Sequence, residues 1–274
     1  MRLIYKRDES PLPVFGIRLP SWRHDGLSLA TRDPEPVAPA GLFSTHLRPI
    51  SCHVRSVSAM SIPSSVLQKE HVAITFGTPV SSYLWPDSDA LNDALKKVIL
   101  EREKADQGVK RSNVGGWHSQ PDLFLWQADC VHTLKDRVST CAADMTRLCT
   151  APEGPRNLSL QLDCWANVSR RGQYNSVHDH PGAMWSGVYY VSGGNPEGDD
   201  PFNGKLEFLD PRVGVNMLRL EQGLFGGRYM VEPLPGLMVM FPSWLKHMVH
   251  PFSGSGERIS ISFNAYVQTR QQTK

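Results

Sequence analysis

The sequence predicts a mainly β domain of sandwich or jelly-roll type, with two helices packed on its outside and an irregular arm in front. Three observations predict it. After Pro155 the chain breaks into short strand-like segments separated by Gly, Pro and Asn, the texture of sheets folded on one another. Two stretches before that point carry apolar residues at helical spacing. Helices first and strands afterward suit helices laid against a β core, and no internal repeat suggests another architecture.

Residues 1–70 contain eight prolines, many serines and arginines, and no sustained apolar period, which predicts a loosely structured arm. An Arg- and Ser-rich amino terminus also suits an organelle transit peptide, but Asp8, Glu9, Asp25, Asp33 and Glu35 make it too acidic for a good one. The folded domain is expected from 71 to 274. A helix over about 90–106, capped by Asp87 or Ser88, places Leu91, Leu95, Val98 and Ile99 on one face. A second, over about 132–148, aligns Leu134, Val138, Cys141, Met145 and Leu148. Between them, Ser112-Asn-Val-Gly-Gly-Trp-His118-Ser119 reads as a turn-rich loop. Strands are expected near 158–169, 174–180, 184–192, 204–209, 227–232, 236–242, 246–251 and 257–267.

Composition narrows the function classes. The 274 residues are 40% hydrophobic and 20% charged, enough for a real core. A net charge of +2 gives no strong nucleic-acid or membrane signal. No apolar run reaches the roughly 20 residues that cross a bilayer. Five cysteines without CxxC spacing (Cys52, Cys130, Cys141, Cys149 and Cys164) read as reduced thiols of a cytoplasmic protein.

The chemistry concentrates in His178-Asp-His180-Pro181. Two histidines two apart project from one face of a strand, which turns Asp179 the other way. His247 follows an apolar strand, Gly236–Phe241, that Pro242-Ser243 breaks, and it could complete one face of a metal's coordination sphere. Further on, Arg258, Ser260, Ser262 and Asn264 share one strand face, and Ile259, Ile261 and Phe263 share the other. The polar face is either the solvent side of an amphipathic strand or the wall of a pocket. In the second case Arg258 grips a carboxylate and Ser260 adds a hydroxyl. The pattern suggests a non-haem iron centre with an anion held beside it, although a histidine stands where the 2-His-1-carboxylate triad has its acid.

Asn175-Ser-Val-His178-Asp-His180-Pro181, Ser186-Gly-Val-Tyr-Tyr190, Gly204-Lys-Leu-Glu-Phe-Leu-Asp210-Pro-Arg212, Phe241-Pro-Ser-Trp-Leu-Lys-His247 and Arg258-Ile-Ser-Ile-Ser-Phe-Asn264 follow in order. Together they resemble the 2-oxoglutarate/Fe(II) oxygenase family of bacteria and phages, over roughly residues 72–268. Ser112–Ser119 is similar to an upstream motif of that family. The resemblance implies a double-stranded β-helix (a cupin-like jelly roll) with Fe(II) at its open end. It implies His178 and His247 as metal ligands, and Arg258 and Ser260 on the distal carboxylate of 2-oxoglutarate. Tyr190 sits where prolyl-hydroxylase relatives place a co-substrate tyrosine. The implied activity consumes O2 and releases succinate and CO2, hydroxylating an unidentified small-molecule or peptide substrate. His180 departs from the broader superfamily, which usually has His-x-Asp or His-x-Glu: it ligates directly, which its spacing favours, or it sits behind the ligands, or water fills the third place. A three-histidine cupin-type enzyme without 2-oxoglutarate and a non-catalytic metal-binding module are the competing classes, and a homodimer is left open.

Several tempting residues are set aside at this level. Asn175, three before His178, should face the other way on a regular strand, which leaves it only a weak pocket candidate. His250 reads as a strand-end residue, and Trp117, Trp185 and Trp244 as core. Asp210-Pro-Arg212 reads as an ion-paired turn, and Gly193–Pro201 as a mobile acidic loop.

Overall fold

The computed structural model describes residues 75–150, 158–215 and 227–269. The proline-rich arm over 1–70 and Cys52 lie outside the described residues, as does the start of the expected domain.

Two helices precede most of the strands. α1 (Asp89–Ala105) buries Leu95 and Ile99, with Leu91 and Val98 partly covered beside them. Ser88 stands at its N-cap position but makes no side-chain capping bond. α2 (Asp129–Cys149) buries Val131, Leu134, Val138, Ala142 and Met145. Leu148, expected on that face, is exposed one residue before the helix ends.

Among the described residues eleven strands make up the β part: β1 (Ser81–Leu84), β2 (Asn113–Val114), β3 (Trp117–His118), β4 (Leu158–Ser169), β5 (Tyr174–His178), β6 (Trp185–Pro196), β7 (Leu206–Leu209), β8 (Arg228–Val231), β9 (Leu237–Pro242), β10 (His247–Val249) and β11 (Gly254–Thr269). They form a six-stranded sheet in the order β1-β9-β6-β11-β4-β3 and a five-stranded sheet in the order β2-β5-β10-β7-β8. All pairings within these sheets are antiparallel. Every strand expected from the sequence is present, and the fold is the expected double-stranded β-helix.

Four boundaries differ from the expectation. The loop over 112–119 contains the two short strands β2 and β3, which clip onto β5 and β4. β6 runs on to Pro196, so half of the expected acidic loop is strand. β5 stops at His178. β1, too short and polar to show a period, pairs along β9.

The alternation of β11 decides what each sheet face does. Ile259, Ile261 and Phe263 are fully buried in the larger apolar core, with Leu95 and Ile99 of α1 and Leu134 and Val138 of α2. Their neighbours Arg258, Ser260, Ser262 and Asn264 face the inside of the β-helix. A second core (Val188, Tyr190, Leu206, Phe208, Val239, Phe241 and Leu245) fills that interior beside them. The helices therefore seal one face of the large sheet, and its other face is free to carry polar groups.

Gly187 is where β6, β9 and β11 press closest. A Cβ there would sit 2.3 Å from Phe263 Cζ and 2.6 Å from the Val239 carbonyl oxygen, and the latter cannot move without breaking the sheet. Gly187→Ala is expected to destabilise the fold by about 2–3 kcal/mol. Thermal unfolding should show this as a midpoint lowered by several degrees; an unchanged midpoint would refute the packing argument.

Candidate metal and co-substrate site

The interior of the β-helix holds a cavity of about 410 Å³. Its lining includes His178, His180, His247, Tyr190, Arg258 and Ser260, so all six residues singled out in the sequence meet in one place.

The three histidines converge although they come from different elements. His178 ends β5 and lies opposite His247, the first residue of β10. His180 lies beyond the strand, and the turn after β9 holds it. There Pro242 ends the strand, and the Ser243 carbonyl accepts the His180 N–H at 2.9 Å. The Ser243 N–H bonds the Met184 carbonyl, and its hydroxyl donates to the Ala183 carbonyl. The same turn carries Leu245, whose carbonyl accepts the His247 Nδ1–H at 2.8 Å. His178 Nδ1 likewise donates to the Ser176 carbonyl at 2.7 Å.

With Nδ1 committed as a donor, Nε2 of His178 and of His247 is left with its lone pair outward, the tautomer a metal needs. One ligand atom from each of the three histidines lies within 4.8 Å of the others. The Nε2 atoms of His180 and His247 are 3.3 Å apart, a spacing two donors take around one ion at an angle of about 104° when each bond is about 2.1 Å. This donor set fits a divalent metal. The Asp179 carboxylate, by contrast, pairs with Lys246 Nζ at 3.1 Å, and that ammonium holds its pKa below the usual carboxylate range. It borders the cavity without joining the cluster.

Burial keeps the cluster neutral. Desolvation, reinforced by the neighbouring imidazoles, lowers His180 to about 4 and His247 to about 3, and desolvation lowers His178 as well. In the unfolded chain these groups take up protons near pH 6.5, whereas the folded chain binds them only at lower pH. The unfolded state thus holds more protons in that window, and stability must fall as pH drops below about 6.5. Metal-free protein is expected to lose on the order of 3 kcal/mol between pH 7 and pH 4 through His180 alone. Urea unfolding in the presence of a chelator measures this, and a flat profile would contradict it.

Arg258 stands deeper. It is 1% exposed, and its Nε–H donates to the Gly204 carbonyl at 2.9 Å. Gly204 is required there: its φ is +64°, and a Cβ would press on Phe252 and on the Arg258 stem. The guanidinium lies over the Tyr190 ring, with Cζ 5.4 Å from the centroid. Burial pushes the Tyr190 phenol up to about 12, against the pull of Arg258 beside it. Arg258 Nη2 and Tyr190 Oη are both buried without a partner in hydrogen-bonding geometry. Among the described residues Arg258 has no ion pair. Register puts Ser260 beside Tyr190 on β6 and beside Asn167 on β4. Asn167 Oδ1 is a third buried polar atom without a partner.

Sequence reasoning left Asn175 a weak candidate and missed several other lining residues. Asn175, expected to face away, borders the cavity, and its Nδ2–H donates to Ser112 Oγ at 3.2 Å. The reason is a bulge: the three steps from Asn175 to His178 lie against two on β10, from Val249 to His247, which resets the alternation once. Ser112 Oγ also reaches His178 Nε2, at 3.4 Å. Trp165 packs against both His118 (ring centroids 5.6 Å apart, 10° between planes) and His180 (5.5 Å). The alternating polar residues of β4, Asp163 and Asn167 around Trp165, were the readable signal for this wall.

The remaining expectations sort cleanly. His250 bonds Glu207 at 2.6 Å outside the cavity lining, and Asp210 pairs with Arg212 at 2.6 Å. Trp117 and Trp185 are core, but Trp244 is 53% exposed on the turn that holds His180.

Residues 163–264 match the model of the family described as "Putative 2OG-Fe(II) oxygenase", a segment that contains all six expected site residues. No curated protein matches the chain in sequence. Among solved structures the chain is similar to a Pseudomonas putida prolyl-4-hydroxylase at 19% identity, covering 70% of this chain and 93% of that one, with a TM-score of 0.49. It is also similar to the non-heme alpha ketoglutarate dependent epimerase SnoN from nogalamycin biosynthesis at 12% identity, covering 71% and 80%, with a TM-score of 0.49. HygX from Streptomyces hygroscopicus, solved with nickel and 2-oxoglutarate bound, is similar at 13% identity, covering 73% and 87%, with a TM-score of 0.48. Over residues 163–264, the stretch that carries the cavity's histidines and Arg258, the chain is thus similar to the 2-oxoglutarate/Fe(II)-dependent oxygenases.

Proposed function

We propose that His178, His180 and His247 together hold Fe(II), and that Arg258, with Tyr190 and Ser260, holds the distal carboxylate of 2-oxoglutarate for hydroxylation of a small molecule or peptide. The observation that carries this reading is the buried guanidinium, bonded through Nε to Gly204 but without a counter-ion among the described residues. A cation 1% exposed, with no carboxylate partner among the described residues, opens onto a cavity that also contains a neutral metal-ready cluster. Such a charge is costly to bury unless something brings the opposite charge to it. A dicarboxylate that reaches from Arg258 to the metal supplies it.

Iron and 2-oxoglutarate, when bound, supply O2 activation, with succinate and CO2 as products. The chain's own work is positional. Arg258 and Tyr190 offer donors already aimed at an anion, so little reorganisation is needed on binding. Apolar Val188, Leu206, Phe241 and Val249 line the cavity and exclude water. Three neutral imidazoles leave the metal's charge uncompensated, unlike a triad with one carboxylate, and this favours an anionic co-substrate.

The proposed location is the cytoplasm, in keeping with four described cysteines that are all free thiols. No described helix is long and apolar enough to cross a membrane. Anaerobic titration of Fe(II)-loaded protein with 2-oxoglutarate tests the site. A saturable metal-to-ligand charge-transfer band is expected, and its absence with iron demonstrably bound would sink the proposal.

A further inference from the structure

The motif that opens at Ser112 has no part in the function proposed above, yet its first side chain touches a metal-ready nitrogen. Ser112 Oγ lies 3.4 Å from His178 Nε2. Its neighbours fix the direction of that bond. The His178 Nδ1–H donates to the Ser176 carbonyl at 2.7 Å, so Nε2 has only a lone pair to offer and the Ser112 hydroxyl must be the donor. From the other side the Asn175 Nδ2–H donates to Ser112 Oγ at 3.2 Å. That bond fills an acceptor site on the oxygen and leaves its hydrogen free to point at the ring.

The contact is built into the sheet. The Ser176 N–H donates to the Ser112 carbonyl at 2.9 Å, and the Ser176 hydroxyl adds a second bond to it at 3.2 Å. The carbonyl of the same Ser176 receives the His178 ring. Ser112 and the His178 imidazole are thus both pinned to one residue, and Asn113 pairs with Asn175 where β2 clips onto β5. At 3.4 Å the hydroxyl–imidazole bond is long and weak beside the roughly 2.7–3.2 Å usual between nitrogen and oxygen. It satisfies both groups in the metal-free protein and is readily given up.

An ion on His178 takes the same lone pair that the hydroxyl holds. Metal binding therefore breaks this one bond, and it leaves a hydrogen-bond donor on the cavity wall beside the ion. We propose that Ser112 is an exchangeable donor: its hydroxyl holds the His178 lone pair while the site is empty, and turns to an anionic ligand of the metal once the site is loaded. Asn175, donating into the same oxygen, strengthens the hydroxyl as a donor in both states.

The proposal rests on the three histidines being a metal site, and it requires two effects of opposite sign. Co(II) is used in place of iron, because its visible spectrum reports both occupancy and anion binding. In Ser112→Ala the lone pair has no competitor, so the full chain should bind Co(II) about two- to fivefold more tightly than wild type, measured by competition with a chelator. Azide, an anion small enough to reach the metal without Arg258, should bind the loaded variant about tenfold more weakly than loaded wild type. Ser112→Thr keeps the hydroxyl and should return both values toward wild type. Both substitutions retain the backbone bond to Ser176, so neither removes the strand pairing. A purely structural serine would weaken both affinities together when lost. Weaker Co(II) binding by Ser112→Ala, or unchanged azide affinity, would overturn the exchange while the metal site stands. Wild-type protein that binds no Co(II) would overturn the metal site and the exchange with it.

Discussion

Arg258→Ala is expected to weaken 2-oxoglutarate binding by about a hundredfold or more, the effect of removing one partner from a buried, hydrogen-bonded charge pair. Iron binding should survive, because the guanidinium makes no contact with the imidazoles. The informative companion is Arg258→Met. In the absence of co-substrate the wild-type side chain is a buried cation without a counter-ion among the described residues. Replacing it by an apolar chain of similar length should leave the ligand-free protein as stable as wild type or more so, by about 1–4 kcal/mol. The two measurements, charge-transfer titration and chemical denaturation without ligand, should therefore move in opposite directions. Full co-substrate affinity in Arg258→Ala would remove the clamp from the mechanism.

The second large effect concerns the metal. His247→Ala should abolish iron binding, since His247 faces His178 across β5 and β10 and His180 through Nε2 at 3.3 Å. His180 is the discriminating position. His180→Ala is expected to lower Fe(II) affinity by about a hundredfold, a loss of roughly 3 kcal/mol, as befits a lost direct ligand. His180→Asp should restore part of that affinity, since a carboxylate is an ordinary third ligand for this metal. It should also weaken 2-oxoglutarate binding, because it adds negative charge beside an anionic co-substrate. Equal iron affinity in wild type and His180→Ala would take His180 out of the coordination sphere.

Much of this was legible in the sequence, and what escaped did so for identifiable reasons. Strand alternation alone separated Arg258, Ser260 and Ser262 from Ile259 and Ile261, because β11 is long and regular where it carries the site. It failed at Asn175, where the bulge between β5 and β10 breaks the period of two. Strand logic put His180 beside His178, yet it lies past the end of β5; a hydrogen bond to Ser243, in a turn far along the chain, holds its backbone instead, and no local pattern encodes that bond. Trp165 went unnoticed although Asp163 and Asn167 alternate with it on β4, and His118 stood only inside a loop motif, because a large aromatic or a lone histidine looks like core until the opposite wall is known. Trp244 misled in the other sense: its neighbours Pro242, Ser243 and Leu245 are buried, and the turn expels only the indole.

The turn from Pro242 to Leu245 has a consequence for how the centre assembles. It fixes the backbone of His180 through Ser243 and the ring of His247 through Leu245, so a single rigid corner sets both imidazoles. His178, two residues before His180 at the end of β5, is in turn the register partner of His247 on β10. Backbone bonds thus tie all three imidazoles together without a metal, so an ion bound there is expected to meet a preformed set of donors at little cost in reorganisation.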